Sequence, residues 1–126
     1  MSEKATVVKN FLDVVNMTED ELAEWLETEE SNSTGQLKPG QAESIGHESG
    51  RHLLELMRCT YGSDPDTYND EQIAFMRRVV SYCRRHLAQF PRNKALEEIR
   101  AGKWYWSLKN WGHDALKESN DEDEIE

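Results

Sequence analysis

Four arginines recur at helical spacing in the segment 70–89: Arg77, Arg78, Arg84 and Arg85. With Ile73 set at 0° and ~100° allowed per residue, all four fall between about 20° and 140° around a helix. Ser81 and Ala88, both small, are the residues between them on that side. A planar guanidinium fork pairs two oxygens at once, so such a stripe suits phosphate groups or the carboxylates of an acidic protein. Arg77, Arg78, Ser81, Arg84 and Arg85 are therefore the candidate binding residues. The plainer reading is a solvated face, partly paired with acids of the second helix.

A second constellation lies in residues 46–52, Gly46-His47-Glu48-Ser49-Gly50-Arg51-His52. A helical zinc-protease pair needs histidines four apart on one face. Here His47 and His52 are five apart, ~140° around a helix. A nucleophile elbow needs its serine midway between two glycines, but Ser49 directly precedes Gly50. Cys59, Cys83, His86 and His113 add no pair with ligand spacing. The expectation is no metal, no cofactor and no catalytic residue. His47, Glu48, Arg51, Trp111 and His113 form a possible secondary site, and an enzyme centred there is the third functional reading. Glu48 and Arg51 are placed to pair locally. Gly46 and Gly50, four apart, call either for close backbone approach or for an extended entry to the helix.

The elements that must position these residues follow from apolar spacing and capping. Val7, Val8, Phe11, Leu12 and Val15 predict a helix over 4–15. Thr18 with Glu21 three positions on is a capping-box pair. It opens a second helix ending near residue 30, with Leu22, Trp25 and Leu26 inward. Residues 31–40 read as a loop. A third helix is expected over 44–58, with Leu53, Leu54 and Met57 inward. Gly62 and Pro65 mark a turn. Asn69 caps a long helix over 70–89, stopped by Pro91. Ile73, Met76, Val79, Val80, Cys83, Leu87 and Phe90 form its apolar side, with His86 a packing residue at the edge. A short element follows over 94–100. The segment 104–111 fits a helix face or strand alternation equally, with Gly112 ending it. Its three tryptophans, beside Lys103 and Lys109, could stack nucleobases, but large aromatics in a small domain are more often core.

Length and charge frame these expectations. The chain has 126 residues, enough for one domain with its own core. Residues 1–50 carry 3 basic and 11 acidic side chains, residues 51–117 carry 12 and 8, and residues 118–126 carry none and 6. The overall charge of −10 thus hides a basic stretch between acidic ends, and argues against indiscriminate nucleic-acid binding. The acidic segment 118–126 reads as a disordered tail following a helical domain over 1–117. It is placed to screen the arginine stripe. No run approaches the ~18 apolar residues of a membrane span, and the first residues lack a signal-peptide pattern. The expectation is an intracellular protein, cytoplasmic or nuclear, without a membrane partner. Its fold class is expected to be all-α, a small helical bundle.

Four blocks carry a family resemblance. They are Val14-Val15-Asn16-Met17-Thr18-Glu19-Asp20-Glu21-Leu22 with Trp25-Leu26, and Glu43-Ser44-Ile45-Gly46-His47-Glu48-Ser49-Gly50-Arg51. The third is Met76-Arg77-Arg78-Val79-Val80-Ser81-Tyr82 with Arg84-Arg85-His86-Leu87-Ala88-Gln89. The fourth is Ser107-Leu108-Lys109-Asn110-Trp111-Gly112-His113-Asp114 with Leu116-Lys117. In order and spacing they resemble the family called Domain of Unknown Function 3140, over roughly residues 10–117. That resemblance implies no activity, although members are sometimes labelled DNA-binding. The tail lies outside the shared pattern. The leading functional expectation is a non-enzymatic module that binds DNA phosphates through the arginine stripe, and the alternative is a module that binds an acidic protein.

Overall fold

A computed structural model describes residues 2–35, 37, 39–59, 62 and 64–117. The expected tail, 118–126, lies outside the described residues. Seven α-helices are present among those described: α1 Glu3–Val14, α2 Glu19–Leu26, α3 Glu29–Ser33, α4 Ile45–Cys59, α5 Asp70–Leu87, α6 Leu96–Arg100 and α7 Lys103–Asn110. A 3-10 turn, Pro65–Thr67, precedes α5. The described residues contain no strand, so the fold is all-α as expected.

Local chemistry sets most of the boundaries. Thr18 Oγ1 accepts from the Glu21 amide at 3.1 Å, and the Glu21 carboxylate accepts from the Thr18 amide at 2.9 Å, closing the box that starts α2. Asn69 and Gln72 make the same reciprocal pair at the start of α5, both at 2.8 Å. Each exchange satisfies amides that the first turn leaves without partners.

The expected helix over 18–30 is two helices. Thr28 Oγ1 accepts from the Ser31 amide at 3.1 Å and donates to the Trp25 carbonyl at 2.7 Å. One side chain so closes α2 and opens α3, and the expected loop begins only after Ser33. The segment 104–111 is helical: α7 buries Tyr105, Leu108 and Asn110 and leaves its tryptophans half-buried against the core. In α4 the inward residues are Leu53 and Leu56, with Leu54 and Met57 half-buried beside them. Helix α5 stops two residues before 89, in tight turns at Gln89 and Phe90 ahead of Pro91.

The core joins all the longer helices. Val8, Leu22, Leu53, Met76, Val79, Cys83 and Leu108 are at most 1 % exposed. Helix α1 lies along α5. Its end at Phe11–Val15 faces Gly62 and Tyr68, ahead of α5, while its first turns face Arg77 to Arg85. No described helix is long and apolar enough to cross a membrane.

Candidate nucleic-acid interface

The arginine side of α5 does not stand alone, because α1 lies beside it and makes it one wall of a groove of about 740 Å³. Arg77, Ser81, Arg84 and Arg85 come from α5, and Glu3, Thr6 and Asn10 from α1. Val7 and Val80, each 8 % exposed, belong to the core cluster and form the apolar floor. Arg77, Ser81, Arg84 and Arg85 are all exposed. The α5 spacing explains the geometry: three guanidinium groups share a side across just over two turns, with Ser81 leaving room between them.

Among the described residues one acid lines the groove. Glu3 pairs with Arg77 at 3.3 Å. Among the described residues Arg84 and Arg85 have no ion-pair partner. The expectation that α2 supplies acids to the stripe is not met. Glu19 of α2 pairs instead with Arg58 of α4, at 3.1 Å. Arg78 also departs from the stripe. It sits 5.5 Å above the Phe75 ring and lines a separate groove with His52, Glu55 and Glu71, between α4 and α5. Its position near 140° puts it on the far shoulder of the helix, where Phe75 offers a cation–π seat.

The residues of the possible secondary site are spread over several contacts. Arg51 does not pair with Glu48. Its Nε and Nη2 donate to the two carboxylate oxygens of Glu43, both at 2.6 Å. That fork, opposed by partial burial and aided by His47, holds the Glu43 carboxyl down to about 2. His47 contacts Glu43 through Nδ1, and its Nε2 lies 2.8 Å from the Leu26 carbonyl at the end of α2. Glu48 is exposed. His113 donates from Nδ1 to the Val14 carbonyl at 2.7 Å, where α1 ends. Trp111 stacks on Tyr82 at 4.5 Å and 15°. His86 continues that stack between Tyr82 and Trp104, and burial pushes its pKa down. The Cys83 thiol is buried and pushed up to about 12, which makes it unreactive. No group of three metal-capable side chains occurs among the described residues.

Residues 46–50 serve packing, and the helix runs through both glycines without an extended entry. A Cβ on Gly50 would lie 2.6 Å from Leu26 Cδ2 and 2.8 Å from the Asn110 carbonyl oxygen. Close approach of α4 to α2 and α7 is therefore the reason for the pair. The partner on α7, fully buried Asn110, has no counterpart in the sequence reading. Its Oδ1 accepts from Trp25 Nε1 at 2.8 Å and from Ser31 Oγ at 2.5 Å. Its amide nitrogen donates to the Ser31 carbonyl at 3.3 Å. The adjoining helices α2 and α3 thus meet distant α7 on one amide.

The Glu43 fork leads to a pH prediction. A carboxyl ionised down to about 2 in the fold, against an ordinary value near 4.5, stabilises the folded state above pH 4.5. That contribution fades as pH falls from 4.5 toward 2. In urea melts, Glu43→Gln should therefore be less stable than wild type at pH 6, with the difference shrinking by pH 3. A constant difference over this range would show that the fork carries no pH-linked stability.

No curated protein and no solved structure matches the chain. A family match covers residues 10–109, taking in α5 with all four arginines and the two glycines of α4, and ending one residue before Asn110. The chain belongs to the family described as Protein of unknown function (DUF3140).

Proposed function

We propose that this protein is a non-enzymatic binding module that grips the phosphate backbone of nucleic acid in the groove between α1 and α5. The observation that carries the reading is the convergence of Arg77, Arg84 and Arg85 on one open groove, with Glu3 the one acid facing them among the described residues. Among the described residues no aromatic ring lines the groove. The rings of Tyr82, His86, Trp104 and Trp111 are stacked on one another elsewhere. Stacking on bases is therefore not available here, and phosphate contacts position a ligand without reading its sequence.

Titration of labelled duplex DNA by fluorescence anisotropy tests this. Three phosphate contacts give a salt slope of about −2.7, so affinity should fall about 40-fold between 50 and 200 mM salt. Two duplexes of unrelated sequence should bind alike. Weak salt dependence, or a strong preference for one sequence, would contradict the phosphate reading. A second reading has its own support, because Val7 and Val80 give the groove an apolar floor that suits an acidic amphipathic helix from a partner protein. Tighter binding of such a peptide than of duplex DNA at the same salt would favour that reading.

A further inference from the structure

The described chain ends at Lys117, and its position is fixed. Lys117 Nζ donates to the Asn16 carbonyl at 2.6 Å and to Glu21 at 2.7 Å. Asn16 Nδ2 also donates to the Asp114 carbonyl at 3.0 Å, and Asn16 Oδ1 accepts from the Asp114 amide at 2.7 Å. Residues 118–126 therefore start beside the end of α1, the helix whose Glu3 to Asn10 side walls the arginine groove. From Asn16 back to Asn10 is four helical residues and a short extended step, roughly 13 Å. Nine extended residues reach roughly 30 Å, so the acidic segment can enter the groove.

Charge points the same way. The segment carries six carboxylates and no base. At its root the base Lys117 is already paired with Glu21, in the acidic first turn of α2. Across α1 stand Arg84 and Arg85, which lack carboxylate partners among the described residues. The one apolar residue of the segment, Ile125, matches the Val7 and Val80 floor.

We propose that residues 118–126 dock in the α1–α5 groove of their own chain, as a tethered competitor for the ligand. The occupancy of the groove by this segment stands on charge and reach, while the regulatory consequence rests on the phosphate-binding reading above. A segment on so short a tether acts at a millimolar effective concentration, enough to weaken an external polyanion by about tenfold if its own affinity is submillimolar.

Two measurements on the 126-residue chain test this. The first compares the arginine Nε–Hε NMR signals of wild type with a chain whose six acids are neutralised: Glu118→Gln, Asp121→Asn, Glu122→Gln, Asp123→Asn, Glu124→Gln and Glu126→Gln. At low salt without ligand, the signals of Arg84 and Arg85 should shift and those of Arg51 and Arg58 should not. The second measures the gain in duplex affinity on neutralisation, in wild type and in an Arg84→Gln/Arg85→Gln background. Bulk charge raises affinity in both, so docking requires a gain about tenfold larger when the arginines are present. Equal gains, with Arg84 and Arg85 unmoved, overturn the proposal. Shifts at Arg92 or Arg100 instead also overturn it, as do shifts that grow with protein concentration, which mean a second copy's segment. If the Arg84 and Arg85 signals move but no duplex binds, docking stands and the nucleic-acid reading fails.

Discussion

Trp25→Ala should destabilise the fold by about 3–5 kcal/mol, the range for losing a large buried aromatic. Trp25 is 8 % exposed and sits among the core residues of α2. Its indole also supplies the 2.8 Å donor to Asn110, and its ring carries the Lys109 ammonium at 4.2 Å from the centroid. The alanine variant leaves a cavity and removes one of the two donors to a fully buried oxygen. At roughly 3–5 °C per kcal/mol for a chain of this size, the melting temperature should drop by roughly 9–25 °C. Trp25→Phe separates the two effects, since it keeps most of the volume and loses the hydrogen bond, a loss of about 1–3 kcal/mol when a buried acceptor is left short. A melting temperature within error of wild type for the alanine variant would remove Trp25 from the core.

Gly50→Ala should be destabilising by about 1–3 kcal/mol, although alanine is the better helix former by ~1 kcal/mol. The added methyl meets Leu26 Cδ2 at 2.6 Å and the Asn110 carbonyl oxygen at 2.8 Å. Leu26 can turn away, but the Asn110 oxygen is backbone at the end of α7, so one helix must move. Gly46→Ala is the control. Its nearest atom is Asn110 Nδ2 at 3.3 Å, a side-chain group, and propensity offsets the contact. The pair measured together by urea melts should differ by more than about 1 kcal/mol, with Gly46→Ala the more stable. Equal stability would mean that α4 does not approach α7 as closely as this packing requires.

What was legible in the sequence was local. The capping box at Thr18 joins residues three apart and Asn69 is a cap by its own type, so the residue types alone identify the α2 and α5 starts. The Gln72 half of the second box was not read. The split at Thr28 was hidden because a threonine followed by two glutamates fits a continuing helix as well as a new one. Its choice depends on the Trp25 carbonyl, which only the folded turn presents. The same limit governs the site. Helical rotation puts four arginines on one side of α5, but it cannot say that α1 turns that side into a groove or that Phe75 draws Arg78 out of it. Two glycines four apart left close approach and an extended entry both open, because Leu26 and Asn110, the residues they meet, are far from them in sequence.

The proposed contact of Arg84 and Arg85 with phosphate is tested most directly by the salt dependence of duplex binding in wild type and in Arg84→Gln/Arg85→Gln. Both side chains are exposed, so the double variant should melt within about 0.5 kcal/mol of wild type for each substitution. Each phosphate contact contributes about −0.9 to the slope of log affinity against log salt, so the slope should fall from about −2.7 to about −0.9. An unchanged slope in a folded variant would contradict the claim and place any phosphate contact elsewhere on the protein.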